Sequence, residues 1–245
     1  MKKLVGLSGG KDSTAMALAL KEFEPEHEYI FAITTTKREI ASEMEPHWAK
    51  LETILRQELI RVPAPSLVDL IIKFKALPNW RMRWCTRLVK IEPFMRFAVS
   101  QAPCWTCIGI RADEVIGEDA REGTDWNGCE NIKQDLPLVR WGWDEDRVKW
   151  YLAQKRIVIP TRTDCDCCFF QRLIEWWELW QFHPDLYREC EALESFTGYT
   201  FRSDDRDSWP AALSLLRIEF EKGRKPPDTR KHQPLRRSMC AWCAR

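Results

Sequence analysis

The stretch KLVGLSGGKDSTAMALALKEF, residues 3–23, decides the fold. Residues 3–8 form a short β-like run, Gly9 and Gly10 make a turn, and residues 12–23 read as a helix rich in Ala, Leu and Met. Strand, glycine turn and helix in that order open a parallel α/β unit. The hexapeptide Ser8-Gly9-Gly10-Lys11-Asp12-Ser13 occupies the handover. Glycines there let backbone N–H groups approach a phosphate closely, and the helix that follows aims its positive dipole end at the same anion. Lys11 adds a cation, Ser8 and Ser13 add hydroxyls, and Asp12 is placed to orient Mg²⁺ or a loop amide. The spacing is neither the Walker pattern nor a dinucleotide fingerprint.

Working outward, residues 29–34 and 59–62 are further strand candidates, and residues 39–58 have helical periodicity. Residues 67–76 and 86–99 read as helices and 105–110 as another buried strand. This alternation predicts an α/β fold with a doubly wound parallel sheet. The polar segment 111–134 reads as a long loop over the sheet edge where ligands bind. Residues 144–154 read as a helix capped by Asp144, and two helices follow around Pro184, the second stopped by Gly198. The pattern changes after Pro160. The expected organisation is therefore a nucleotide-binding α/β domain over 1–160 and a helical, cysteine-bearing extension with a basic tail over 161–245.

Composition narrows the class. With 38 Lys and Arg against 37 Asp and Glu, the net charge is +1, so a nucleic-acid surface has to be a local patch. The apolar runs are too short for a bilayer span, and glycines interrupt the start too early for a signal peptide, so a cytoplasmic protein without a membrane partner is expected. Ten cysteines in 245 residues is too few for a disulfide scaffold. In a reducing compartment, clustered cysteines bind metal or do redox chemistry.

SGGKDS resembles the pyrophosphate-binding loop of the PP-loop ATP pyrophosphatases, which cleave ATP between its α and β phosphates and adenylate an oxygen. Further segments resemble the phosphoadenosine phosphosulfate (PAPS) reductase family within that superfamily. They are Cys85-Thr-Arg-Leu-Val-Lys90-Ile-Glu-Pro93, Gly109-Ile-Arg111-Ala-Asp113-Glu114 with the trailing Arg121, Pro137-Leu-Val-Arg-Trp141, and Cys165-Asp-Cys167-Cys168. The matches run in family order over almost the whole chain. The family's Asp-Thr-Gly-like segment after the second strand is replaced here by Thr34-Thr35-Thr36, and the C-terminal Glu-Cys-Gly-x-His signature of single-cysteine reductases is absent. The subgroup that thiolates tRNA or DNA therefore fits at least as well as a sulfonucleotide reductase.

The resemblance implies ATP, or PAPS, as adenine nucleotide on Ser8, Gly9, Gly10, Lys11, Asp12, Ser13, Thr34, Gly109 and Arg111, with Mg²⁺. It implies catalytic roles for Lys11, Asp12, Arg111, Arg121, Cys240 and Cys243. Arg111 and Arg121 would clamp a phosphate or sulfonucleotide, with Glu114 holding one of them.

The pairs Cys165/Cys168 and Cys240/Cys243 each place two thiols on one turn, and Cys85 comes from the first domain. Three readings stay open: a [4Fe-4S] cluster on Cys85, Cys165, Cys168 and one C-terminal cysteine; a structural Zn²⁺ held by the two pairs; or redox-active thiols with Cys240 or Cys243 as nucleophile. A sulfur donor protein is a possible partner. Cys104, Cys107, Cys129 and Cys190 read as buried or incidental, and the first two would point to opposite faces of a strand.

The tail carries Lys222, Arg224, Lys225, Arg230, Lys231, Arg236, Arg237 and Arg245 against Asp228, a candidate contact for nucleic-acid phosphate. Trp176 and Trp180 share a helix face suited to core packing, whereas Trp80, Trp84, Trp126 and Trp143 are the base-stacking candidates. The four histidines, His27, His47, His183 and His232, form no constellation. A non-catalytic nucleotide or nucleic-acid binding module remains the alternative to an enzyme.

Overall fold

The computed structural model describes residues 2–115, 125–126, 129–204 and 206–228. The opening segment forms strand β1 (Lys2–Gly6) and helix α1 (Lys11–Phe23). There follow β2 (Glu28–Ile33), α2 (Ala41–Leu55), β3 (Ile60–Arg61) and α3 (Leu67–Phe74). A π-helical turn (Thr86–Ile91) runs directly into α4 (Glu92–Gln101), ahead of β4 (Cys104–Cys107). Next come β5 (Asp125–Trp126), β6 (Cys129–Asp135), the short α5 (Pro137–Arg140) and α6 (Glu145–Gln154). Helices α7 (Leu173–Phe182), α8 (Pro184–Thr197) and α9 (Leu213–Glu221) complete the described chain.

The sheet order is β3-β2-β1-β4-β6-β5. The first five strands in that order are parallel, and β5 is an antiparallel edge. Apolar side chains cover both faces. On one, Val5, Leu7, Phe31 and Ile33 pack with α1, α2 and α6 through Met16, Leu20, Trp48 and Tyr151. On the other, Leu4, Ala32 and Ile132 pack with Phe94 and Ala98 of α4. Cys107 belongs to the first group and Cys104 to the second, as the alternation of a strand requires. The chain turns back between β1 and β4, so the crevice at their carboxyl ends is the place where such sheets bind ligands.

The doubly wound parallel sheet agrees with the pattern of residues 3–110. The 111–134 loop does not: its second half is β6, which pairs in parallel with β4 from Cys104↔Ile132 to Cys107↔Asp135. Only Ile132 and Asp135 of β6 are buried, so the hydrophobic alternation that reveals a strand is missing. Its end is fixed instead by charge, since Asp135 receives Lys3 Nζ (3.1 Å) and Arg140 Nη2 (3.2 Å). Helix α9 is likewise absent from the pattern reading.

Asp144 does cap α6, accepting from Arg147 N at 2.8 Å, and Gly198 ends α8 at φ 73°. The C-terminal helices share a core with α3, in which Trp176, Tyr187, Leu213 and Phe220 meet Leu67 and Ile71. Among the described residues no helix is long and apolar enough to cross a membrane.

Candidate functional site

Gly9 adopts φ +87°, a conformation that costs other residues energy, and α2 presses against it. A Cβ at Gly9 would stand 2.8 Å from both Met44 Cε and Trp48 Nε1. The same helix holds the loop's carbonyls: His47 Nε2–H donates to Gly9 O at 2.9 Å, and Trp48 Nε1–H donates to Ser8 O at 3.4 Å. Burial holds the His47 imidazole below its ordinary pKa, so the ring is neutral and donates from one nitrogen. Two of the turn's carbonyls are thus drawn toward α2.

No side chain caps α1, whose N-cap residue is Gly10, so its first-turn amides have no side-chain acceptor there. Ser8 Oγ lies 3.0 Å from Ser13 Oγ and accepts from Gly10 N at 3.3 Å. Gly109, just past β4, is needed for close approach: a Cβ there would meet the Ser13 backbone at 3.1 Å. Thr34 directly follows β2 at the same sheet edge.

Arg111 is almost wholly buried, at 1% exposure, and is bound by carboxylates. Its Nη1 reaches Asp12 Oδ2 (3.0 Å) and Glu114 Oε1 (3.1 Å), while Nε and Nη2 reach Asp113 at 2.9 and 3.1 Å. In this state it fixes Asp12 and offers no open fork to a phosphate. Lys11 Nζ reaches Asp12 Oδ2 at 3.0 Å and Glu145 Oε1 at 3.9 Å. The other oxygens, Asp12 Oδ1 and Glu145 Oε2, are buried with no hydrogen-bond partner among the described residues. Excess carboxylate beside an uncapped helix start, with an oxygen to spare on Asp12, fits a Mg²⁺ ion carried in with phosphates.

Beyond α6, the segment following Pro160 brings the cysteines to this edge. Thr163 lies against Gly10, and Cys165 forms an isolated antiparallel bridge with Glu39. Asp166 N donates to Arg38 O at 2.7 Å. Buried Arg38 then clamps Asp166 through Nε (2.8 Å) and Nη2 (2.6 Å), and also meets Glu189 and Cys190 of α8.

Cys165 and Cys168 are within hydrogen-bonding reach of each other, and Cys85 is near enough to Cys168 to feel its charge. The Cys165 thiol is pushed up chiefly by its bond with Cys167, Cys168 by its bond with Cys165, and Cys85 by burial. Ionised together, these three thiols would need a cation between them, and sulfur donors suit iron–sulfur or zinc chemistry. Among the described residues, no group of three or more His, Cys, Asp or Glu side chains is arranged to hold a metal ion. Arg121, Cys240, Cys243 and the tail from 229 onward lie outside the described residues.

Pattern reading missed His47, Trp48, Glu145, Arg38 and Thr163. His47 and Trp48 share the inward face of α2 with Met44 and Leu51, which looks like ordinary core spacing, and nothing local marks them as loop supports. Of the stacking candidates, Trp143 is in the core at 5% exposure and is excluded. Trp84 is packed edge-on to Phe74 at 5.2 Å, Trp80 is 62% exposed, and the Trp126 side chain lies outside the described residues. Trp176 is core, as its helix face suggests.

The sequence matches no protein-family profile, and no curated protein matches it significantly. Among solved structures, the U34-tRNA thiolase NcsA from Methanococcus maripaludis with its [4Fe-4S] cluster superposes with a TM-score of 0.50. That match has 17% identity and covers 86% of this chain and 77% of the thiolase. Phosphoadenylyl-sulfate (PAPS) reductase from Candida auris, in a phosphate complex, gives a TM-score of 0.48 at 16% identity, over 64% of this chain and 74% of that one. At these identities the likeness is one of fold: the chain shares the α/β architecture of that thiolase.

Proposed function

We propose that this chain is a PP-loop enzyme that uses ATP to adenylate an oxygen of a nucleic-acid substrate, tRNA or DNA, and supports its replacement by sulfur. The observation that carries this reading is the short path from the phosphate loop to the thiols: Thr163 Oγ1 lies 3.5 Å from where a Cβ on Gly10 would be, and Cys165 follows two residues later.

The loop amides and the start of α1 hold the β and γ phosphates and Lys11 disperses their charge, while Asp12 would hold a Mg²⁺ that supplies further positive charge there. The acceptor oxygen attacks the α-phosphorus, the bond to the bridging oxygen breaks, and pyrophosphate leaves. A sulfide-level sulfur then attacks the atom bearing the adenylated oxygen, a base carbon or a backbone phosphorus, and AMP departs with that oxygen. Arg111 acts as a positioning residue in the geometry seen here, keeping Asp12 in place through carboxylate pairs. Arg121 is assigned to the leaving phosphate by resemblance alone.

Cys85, Cys165 and Cys168 would hold a [4Fe-4S] cluster, completed by Cys240 or Cys243, and their thiol chemistry fits that group. When bound, the cluster supplies a place to hold sulfide. Zinc on the same thiols would supply structure alone. The test is turnover of ATP to AMP and pyrophosphate with RNA or DNA present, lost in Lys11→Ala and Asp12→Ala. Sulfite release from PAPS, dependent on Cys240 and Cys243, would identify the reductase instead. ATP binding without turnover would identify a binding module.

A further inference from the structure

A second cavity, of about 340 Å³, adjoins the thiol segment and is lined in part by Arg172, Arg206, Asp207, Ser208 and Trp209. Two contacts tie it to the thiols. Arg172 stands four residues past Cys168 at the start of α7, and Arg206 Nη1 donates at 3.3 Å to the carbonyl of Phe169, the neighbour of Cys168.

The lining is cationic once its pairs are counted. Asp207 is the acid of the lining, and both its oxygens accept from Arg202 Nη2, at 2.8 and 2.9 Å. Trp209 N also donates to Asp207 Oδ1 at 3.0 Å. The Arg202 side chain behind it is fully buried, and its Nε and Nη1 have no hydrogen-bond partner among the described residues; nor does Arg172 Nε. Arg224, paired with Glu219 at 3.2 Å, stacks on Trp209 at 3.7 Å. A buried Arg172 Nε–H without an acceptor among the described residues, on a cavity whose acid is already paired, points to an anionic ligand.

Two features select a polymer over a single anion. Pro227 lines the pocket, and the sequence running on from it carries Arg230, Lys231, Arg236 and Arg237, a run of cations suited to repeated phosphates. The loop entering Cys85 presents exposed Trp80. Asn79 Oδ1 accepts from the backbone N–H of Arg81 and Met82 at 2.9 Å each, which fixes the turn around it, and Arg81 stacks on the ring at 4.6 Å. Arg83 of the same loop lies over Phe170, 5.4 Å from its ring centre, so this loop and the pocket both border the Cys165–Cys168 segment.

We propose that the Arg172–Arg206 pocket binds a backbone phosphate of the nucleic-acid strand, placing the strand across the thiols. This rests on the reading that the thiol segment is where sulfur is handed over. It assigns substrate register to residues that the nucleotide loop does not use.

The test is fluorescence anisotropy of labelled single-stranded RNA and DNA oligonucleotides on the full chain, with a salt titration. Arg172→Gln and Arg206→Gln are each expected to weaken binding by about fivefold or more and to lower the log–log salt slope by about one. Ser208→Glu, an exposed position at the rim, should weaken binding in the same direction and covers the case in which an arginine variant fails to fold. ATP affinity should be unchanged in all three.

Unaltered oligonucleotide affinity and slope would overturn the proposal. So would a loss of ATP or PAPS affinity, which would make the pocket a mononucleotide site, or displacement of oligonucleotide by low inorganic phosphate, which would make it a free-phosphate site. If wild-type protein binds oligonucleotide through these arginines yet makes no AMP, the enzymatic reading fails and the pocket stands. AMP formation with arginine-independent binding would overturn the pocket and leave the enzymatic reading intact.

Discussion

Thr163 lies against Gly10, its hydroxyl oxygen 3.5 Å from where a Cβ on that glycine would be. Because Cys165 is two residues further on and bridges to Glu39 past β2, one short segment joins the phosphate loop to the thiols. The proposed adenylation at the loop would thus take place beside the segment that carries Cys165.

The loop's shape depends on α2, and this gives the first prediction. Gly9→Ala puts a methyl group 2.8 Å from Met44 Cε and Trp48 Nε1 at φ +87°, so stability should fall by about 1–3 kcal/mol and ATP binding should be lost. His47→Ala keeps the glycine but frees its carbonyl. It should weaken ATP binding by about tenfold, the order expected for one hydrogen bond, with a smaller effect on melting. Calorimetric titration with a non-hydrolysable ATP analogue, beside thermal melts, separates the two.

Arg38 holds the cysteine segment to the sheet edge, and removing it leaves Asp166 buried without its main partner. Arg38→Met should cost about 3–5 kcal/mol in urea unfolding, the scale for breaking a buried pair. Arg38→Met/Asp166→Asn should recover much of that loss, because no charge is then stranded.

Glu194 titrates far from its usual range. Burial pushes its carboxyl up to about 7, against the backbone N–H donors of Leu213 and Phe201, which favour the ionised form. Its folded pKa is thus above its unfolded one, so its contribution is complete below the unfolded value near 4.5 and is lost as pH rises through about 7. Wild-type stability should fall by up to about 3 kcal/mol between about pH 5 and about pH 8, a slope that Glu194→Gln should lose, as read by denaturant melts across that range.

How much of this was legible in the sequence follows the physics of each element. Residues 3–23 show their strand, turn and helix because glycines and an Ala/Leu-rich helix leave local marks, and the cysteine spacing is equally local. β6 was hidden because a polar strand held by main-chain bonds and by Lys3 and Arg140 has no alternation to show. A shared ligand role for Cys85, Cys165 and Cys168 is expected from resemblance, and among the described residues no group of three such side chains is arranged to hold a metal ion. His47 was not foreseen, since a histidine among core residues of a helix gains its role only when the loop packs on it. Arg111 was expected to face a phosphate; three carboxylates gathered from two elements claim it instead, a pairing that sequence spacing reveals only for Asp113 and Glu114.

The most direct test of the proposed adenylation follows α-labelled ATP on anaerobically purified full-length protein, with RNA and DNA pools supplied separately. AMP and pyrophosphate are expected in equal amounts, stimulated by one of the two nucleic acids, and abolished by Lys11→Ala. AMP formation that persists in Lys11→Ala, or none in the wild type with either nucleic acid, would contradict it.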